Sequence, residues 1–199
     1  MGLCSLFPFR LLHALTFTPS LIHLDNGLNH GCIHHKEGDE REAFMKGNEK
    51  LIENLNTRLA EELTAVNQYF VHAEMCENWG YERLHAMIRK RSIDEMKHAE
   101  KLIARILFLE GKPIVSNLNK IHIGTEVPRM HDNDRLAEEA AIRGYNESIR
   151  LAMEVGDNGT RELLESILKE EEEHIDLLET QLDQISQMGV QNYLVEQID

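Results

Sequence analysis

Cysteine, proline and tryptophan are scarce in this chain of 199 residues, which has three, four and one of them. Cys4, Cys32 and Cys76 do not have the spacing of a metal site, and an odd number of cysteines gives no disulfide framework. A chain of this kind suits a reducing compartment. We therefore expect a cytoplasmic location.

Positive charge is also in short supply, since 21 Lys and Arg stand against 35 Asp and Glu, for a net charge of -14. An acidic surface disfavours nucleic acid and anionic membranes and favours cations. The most apolar stretch near the start, residues 11–24, is too short and too often interrupted by polar residues to span a bilayer. We expect neither a nucleic-acid partner nor a membrane partner.

The first 44 residues differ from the rest, because they show no helical period and hold five of the eleven histidines. Residues 11–24 have the hydropathy of a secretion signal, but no small-x-small cleavage site follows them. Strongly periodic sequence begins directly after Met45. We therefore divide the chain into an extension, 1–44, and a folded domain, 45–199, with Met45 as the expected natural start. The alternative is a real but disordered leader.

The folded domain is predicted to be helical nearly throughout, from the 3.6-residue spacing of its apolar side chains. The predicted helices cover 49–79, 82–110, 129–155 and 161–187, with a short tail helix at 190–197. Thr160 is predicted to cap the fourth helix. The apolar positions that set the period are Leu51, Leu55, Leu59, Leu63, Val66 and Phe70; Leu84, Ile88, Met96, Ile103 and Leu107; Leu136, Ile142, Tyr145, Ile149 and Ala152; and Leu164, Ile167, Leu168, Ile175, Leu178 and Leu182.

The connections between these helices predict the topology. Short links containing Gly80 and Gly156 join the first pair and the last pair, whereas residues 111–127 form a long connection between the second helix and the third. Four long helices with one crossover are the ferritin-like arrangement. The predicted fold class is therefore all-α, a four-helix bundle with one long crossover and a short C-terminal fifth helix.

Carboxylates and histidines lie on the apolar faces of all four long helices. The first and third helices each carry one inward glutamate, and the second and fourth each carry a Glu-x-x-His pair. These six residues are Glu62, Glu138, Glu95 with His98, and Glu171 with His174. An i, i+3 pair places both side chains on one helix face, so it can hold a metal with one oxygen and one nitrogen. Unpaired charges are costly in a core, whereas two divalent cations balance four carboxylates.

This ligand set predicts a di-iron centre. One Glu from each of two helices plus Glu-x-x-His from each of the other two is the pattern of ferritin-like di-iron carboxylate proteins, and mixed oxygen and nitrogen donors suit iron or manganese. A single motif is weak, because Glu171 lies in the acidic run 170–173, which by itself indicates a solvated face. The combination is specific, and we predict that all six residues bind metal and act in catalysis. Tyr69, in register with Glu62, is predicted either to tune the centre or to be a core tyrosine.

Met96 lies between Glu95 and His98 in sequence but about 100° and 200° away from them around the helix, so it points away from the core. An outward methionine on a central helix suggests a subunit contact, and in a two-fold dimer it meets its own copy. Two facing thioethers can supply both axial ligands of a haem, although methionine more often fills irregular interfaces. The spacing leaves both interpretations open.

Several stretches of the folded domain resemble bacterioferritin, and the likeness covers 45–199 essentially without gaps. They include MKGNEKLIENLN (45–56), ELTAVNQYFVHAEM (62–75), SIDEMKHAE (92–100), RILFLEGKP (105–113) and EEHIDLLETQLDQISQMGVQNYL (172–194). The resemblance implies an iron-storage protein that oxidises Fe(II) with oxygen or peroxide at the six residues above. It also implies a mineral-filled cage of 24 subunits built from two-fold dimers, a haem b shared by two copies of Met96, and a ferredoxin-type electron donor.

One departure and two rival functions remain. Lys90 stands where some family members have a histidine for extra iron on the inner surface, which leaves such a site doubtful although Asp94 is kept. A rubrerythrin-like di-iron oxidase or peroxidase without mineral storage shares the bundle and the motifs, but it often carries a Cys-x-x-Cys iron module that this chain lacks. A haem-binding dimer without ferroxidase activity is the other rival, and six intact ligands argue against it.

Overall fold

Five α-helices make up most of residues 46–198, the part of the chain that the structure, a computed structural model, describes. They are α1 (Glu49–Asn78), α2 (Glu82–Phe108), α3 (Val127–Glu154), α4 (Asn158–Met188) and α5 (Val190–Val195). These residues contain no β-strand, as the predicted all-α class requires. None of their helices combines the length and the apolar character needed to cross a membrane. The predictions for residues 1–44 and for the start at Met45 lie outside the described residues.

The helix ends agree with the predicted ones within two residues, except at the start of α4. That helix begins at Asn158, and Asp157 is its N-cap, because the Asp157 carboxylate accepts the backbone N–H of Thr160 at 2.9 Å. The prediction that Thr160 caps the helix is therefore wrong. An aspartate in this position reaches an N–H of the first turn, which Thr160 then occupies. At the start of α3, Pro128 lies in the first turn, where its missing N–H costs nothing.

The long helices pack as two antiparallel hairpins, α1 with α2 and α3 with α4, and the hairpins meet through α1–α3 and α2–α4 contacts. Two buried apolar clusters lie along the bundle, with a polar layer between them. The first contains Leu51, Leu55, Leu59, Ala99, Leu102, Ile106, Leu109, Tyr145, Ala152, Leu164 and Ile167. The second contains Tyr69, Ala73, Cys76, Leu84, Ile88, Val127, Met130 and Tyr193. The apolar clusters thus hold the four helices in register above and below the polar layer.

Three residues predicted to face the core are exposed instead. Phe70, Leu107 and Leu136 have 47, 58 and 46% of their surface accessible. Phe70 and Leu107 directly follow Tyr69 and Ile106, which are fully buried, so they are rotated by about 100° out of the core. The apolar period identified the correct face of each helix but not its edge.

The crossover from α2 to α3 is held along α1 by side-chain acceptors. Four polar side chains of α1 accept backbone N–H groups of the crossover: Asn56 from Ile114 at 2.8 Å, Thr64 from Asn119 at 2.8 Å, Gln68 from His122 at 2.9 Å, and His72 from Gly124 at 3.0 Å. These acceptors recur at intervals of eight, four and four residues, which places them on one face of the helix. They satisfy backbone donors that have no sheet or helix partner. The crossover therefore has a fixed path beside the polar layer.

Candidate metal centre

The structure brings the six predicted side chains together in the polar layer, in two groups that share two glutamates. The first group consists of Glu62, Glu95, His98 and Glu171, and the second consists of Glu95, Glu138, Glu171 and His174. Within each group, one potential ligand atom per residue lies within 4.8 Å of the others. The arrangement is that of two adjacent four-ligand positions with two common carboxylates.

Each imidazole presents its Nδ1 atom to the shared carboxylates. His98 Nδ1 lies 2.9 Å from Glu171 Oε1, 3.0 Å from Glu95 Oε2 and 3.5 Å from Glu62 Oε2. His174 Nδ1 lies 3.0 Å from Glu95 Oε1 and 3.4 Å from Glu171 Oε2. Nδ1 is thus the nitrogen of each ring that is placed to donate to a cation.

The burial of these groups fits a pair of cations. The four glutamates are at most 2% exposed and His98 is fully buried. Among residues 46–198, Glu95 Oε1, Glu171 Oε1 and His174 Nδ1 are buried atoms whose close contacts with one another and with His98 lack the geometry of a hydrogen bond. Buried polar atoms nearly always have a partner, so unpaired atoms that converge on one point indicate an ion. Carboxylate oxygens with imidazole nitrogens are donors suited to divalent iron or manganese.

Without a cation, the centre is neutralised by protons. Burial raises the pKa of Glu62 and of Glu138 well above the usual range, and neighbouring carboxylates raise it further. Burial lowers the pKa of His98 and of His174, but the carboxylates beside the two rings outweigh it, so the pKa of His174 rises to about 9 and that of His98 rises further. Burial raises the pKa of Glu171, but the two histidines beside it outweigh burial and bring that pKa to about 2. The pKa shifts of Glu62, Glu138, His98 and His174 thus all favour the protonated forms, with which a cation must compete.

Two buried tyrosines bind the unshared glutamates, Glu62 and Glu138, which each belong to only one of the two groups. Tyr69 of α1 donates its hydroxyl to Glu138 of α3 at 2.7 Å, and Tyr145 of α3 donates to Glu62 of α1. Burial, and then the adjacent carboxylates, raise the pKa of both tyrosines well above 10, so both remain donors. Tyr69 was expected near Glu62 by its register, but it reaches across to the antiparallel helix. Tyr145 was predicted only as a core residue, although the same Glu-x6-Tyr spacing in α1 and α3 was a signal for both.

A buried network centred on Asp134 lies on the crossover side of Tyr69. Asp134 Oδ1 accepts Gln68 Nε2 at 2.9 Å and lies 2.9 Å from His72 Nδ1. Because His72 Nε2 accepts a crossover N–H, its Nδ1 carries the proton and donates to Asp134. Arg91 approaches Asp134 Oδ2 at 3.5 Å and lies over the Tyr69 ring at 5.3 Å. The network joins α1, α2, α3 and the crossover next to a tyrosine of the centre, and the sequence analysis missed it.

A cavity of about 410 Å³ leads to the centre between α1, α3 and the crossover. Its inner end reaches four of the carboxylates, and its remaining wall is of mixed polarity. The lining residues are Glu61, Glu62, Thr64, Ala65, Gln68, Tyr69, Glu95, Asn119, Lys120, His122, Arg129, Asn133, Leu136, Ala137, Glu138, Ala140, Ala141 and Glu171. A hydrated ion or a diatomic molecule fits this volume, since a water molecule occupies about 30 Å³ in the liquid.

Met96 lies outside the centre, on the outer surface of α2, as its position around the helix predicted. It is 54% exposed, and Ile93, one turn earlier on the same face, is 38% exposed. Asp94 of the same helix accepts Lys90 and Lys97, each at 2.7 Å. Lys90 and Asp94 thus form an ion pair.

A four-helix bundle with one crossover, one glutamate on each of two helices and Glu-x-x-His on each of the others defines a ferritin-like protein. The family model for the ferritin-like domain matches residues 52–188. A bacterioferritin of Brucella melitensis is 43% identical over 149 residues, which are 75% of this chain and 92% of that protein. Bacterioferritins of Rhodobacter capsulatus and Streptomyces coelicolor are each 42% identical over 75% of this chain and over 92 and 90% of their own lengths. The chain belongs to the ferritin family, among the bacterioferritins.

Proposed function

We propose that this protein stores iron, and that it oxidises Fe(II) at the buried centre before the ferric product is deposited as mineral. The observation that carries the proposal is the pair of four-ligand groups that share Glu95 and Glu171. Fe(II) is the substrate of this reaction, and the donor set suits it. The similarity to bacterioferritins supports storage rather than a rubrerythrin-like activity.

Each ligand has a role that follows from its position. Glu95 and Glu171 lie in both groups and would bridge two ions, whereas Glu62 with His98 and Glu138 with His174 would each complete one side. Tyr69 and Tyr145 each fix one oxygen of an unshared glutamate, and in Glu62 the second oxygen faces His98. Such fixed ligands hold two ions at a defined separation, which favours a two-electron oxidation.

The oxidation balances with either oxidant that the sequence analysis left open. Two Fe(II) lose one electron each, and dioxygen accepts both electrons with two protons to give hydrogen peroxide. When hydrogen peroxide is the oxidant instead, it accepts two electrons and two protons to give two water molecules. The cavity between α1, α3 and the crossover is the route by which Fe(II) and the oxidant reach the ligands.

The test of oxidation compares matched variants. Metal-free protein is loaded anaerobically with Fe(II) and mixed with oxygen or with peroxide, and ferric absorbance is followed in time. Glu95→Ala is expected to abolish the fast phase, and Glu173→Gln, an exposed neighbour of the fourth-helix ligands, is expected to keep it. Normal oxidation by Glu95→Ala would overturn the assignment and revive the haem-binding dimer without ferroxidase activity.

The same proposal includes a cage of 24 copies built from two-fold dimers, in which the mineral accumulates. Size exclusion with native mass measurement, followed by stepwise Fe(II) addition in air, tests it. A cage-sized particle that takes up many irons per chain supports storage. A dimer-sized particle that oxidises about two irons per chain and stores none would favour the rubrerythrin-like oxidase or peroxidase. A cytoplasmic location remains a prediction from the cysteine pattern.

Haem b is proposed to bind between two copies of Met96 in the dimer. The residues present fit the group, because an exposed thioether is a known axial ligand of haem iron and Ile93 adds an apolar surface beside it. When bound, haem supplies a one-electron path by which a ferredoxin-type donor reduces the stored mineral. Met96→Leu is expected to lose the haem absorbance and to keep Fe(II) oxidation, and retention of haem would refute this assignment.

A further inference from the structure

His98 is held at both of its ring nitrogens. Its Nδ1 faces the shared glutamates, and its Nε2 lies 3.0 Å from Glu170 Oε2. Glu170 also accepts Lys101 Nζ through its other oxygen at 2.7 Å. Glu170 is not one of the six ligands, and it lies one residue before Glu171 on α4. It therefore reaches the ring from the side opposite to the centre.

This contact selects the form of His98 that can bind a metal. A neutral imidazole carries one proton, and the nitrogen that donates to a cation must be the other one. An acceptor at Nε2 keeps the proton there and leaves the lone pair of Nδ1 directed at the centre. A carboxylate in this position fixes the ring orientation and increases the basicity of the ligand nitrogen.

His174 has no corresponding support. Its side chain is 13% exposed, against 0% for His98, and no group within residues 46–198 forms a hydrogen bond with its Nε2. The residue that corresponds to Glu170 in the other Glu-x-x-His helix is Asp94, one residue before Glu95. Asp94 instead accepts Lys90 and Lys97.

Each unshared glutamate accepts one tyrosine hydroxyl, and both halves share the same two glutamates. The Asp134 network adjoins Tyr69 on the Glu138–His174 side, whereas the contact at Nε2 is the difference that acts directly on a histidine of the centre. We infer that Glu170 is a positioning residue that holds His98, and that it makes the Glu62–His98 half the tighter metal position and the Glu138–His174 half the weaker, exchangeable one. This inference rests on the proposed metal centre.

The test uses Co(II) as the probe, added anaerobically to the assembled, metal-free full-length protein, with binding followed by visible absorbance and by calorimetry. Two Co(II) per chain are expected to bind in two resolved phases. Glu170→Ala should weaken the first phase by about 10- to 100-fold, the range for loss of a carboxylate behind a ligand histidine. Glu170→Gln keeps an acceptor without its charge and should lose less. Glu173→Gln, exposed on the same helix, is the matched control and should bind as the wild type does.

The outcomes separate this inference from the proposed function. Two phases that Glu170→Ala leaves unchanged, or weakens equally, would overturn the role of Glu170 while the metal centre stands. Two Co(II) that bind to the wild type in one phase would overturn the inequivalence of the halves. Failure of the wild type to bind Co(II) would refute the proposed centre itself, and the inference with it.

Discussion

We expect metal binding to release protons from the centre, and the pKa values of the six side chains determine how many. With ordinary pKa values of 6.5 for histidine and 4.5 for glutamate, the six ligands would hold about half a proton in total at pH 7. In the structure, the pKa of His174 is about 9 and that of His98 is higher, so these two rings hold about two protons at pH 7. Glu62 and Glu138, whose pKa values burial raises, hold up to two more. Between two and four protons should leave as two divalent ions bind.

The measurement is a titration of metal-free protein with Co(II) under anaerobic conditions in weakly buffered solution with a pH indicator. Release is expected to decrease as the starting pH rises through about 9, where His174 loses its proton before the metal arrives. Over the same interval below pH 9, the apparent affinity should rise with pH because fewer protons compete. Glu53→Gln, an exposed change on α1, is the control and should release as many protons as the wild type.

Release of half a proton or less per pair of ions at pH 7, with normal binding, would refute this reasoning. It would mean that the histidines are neutral in the metal-free protein, so the carboxylates do not hold them in the charged form. Absence of binding would refute the metal centre and not merely its proton content.

Three further predictions concern stability and access. Glu62→Gln should stabilise the metal-free protein at pH 7 by about 1–2 kcal/mol. The pKa of Glu62 is raised in the folded protein, so this glutamate destabilises the fold once the pH rises above the pKa of the unfolded chain. The gain in melting temperature should therefore vanish near pH 4. Asp157→Ala should lower the free energy of unfolding at pH 7 by about 1–2 kcal/mol through loss of the α4 cap. Because the pKa of Asp157 is lowered in the folded protein, this contribution is present above the pKa of the unfolded chain and is lost on acidification. Denaturation at pH 7 and at pH 3 should therefore show a smaller difference between the two proteins at pH 3. Ala65→Leu should narrow the cavity and slow Fe(II) oxidation without changing the number of Co(II) bound, and an unchanged rate would contradict the assigned route.

The helices of this fold were predictable because each has an uninterrupted apolar period and ends at glycines or in a polar link. The start of α4 was not, since Asp157 and Thr160 are both good caps and only the backbone geometry decides between them. Phe70 shows a similar limit, because the residue beside a buried Tyr69 is apolar as well, and period alone does not locate the edge of a buried face. Local sequence therefore determined which segments are helical but not every boundary.

The convergence of the six side chains was predictable because each position depends on the register of one helix with its own apolar stripe. The contacts of Tyr145 and Glu170 with the centre were missed because their partners lie on other helices. Their roles depend on how α1 meets α3 and how α2 meets α4, and these distances are fixed only by packing. The same holds for the polar side chains of α1 that accept backbone N–H groups of the crossover. Their spacing is visible in the sequence, but the donors that they bind are not.

The position of the centre follows from the opposing demands of stability and binding. A layer of four glutamates opposes folding when no cation is bound, and so does the neutralisation of Glu62 and Glu138 by protons. The apolar clusters on both sides of the layer supply the stability that the layer lacks. Because helices held at both ends leave little freedom between them, these side chains keep their positions without a cation. A site at the end of the bundle would relax by fraying, whereas this one keeps its arrangement.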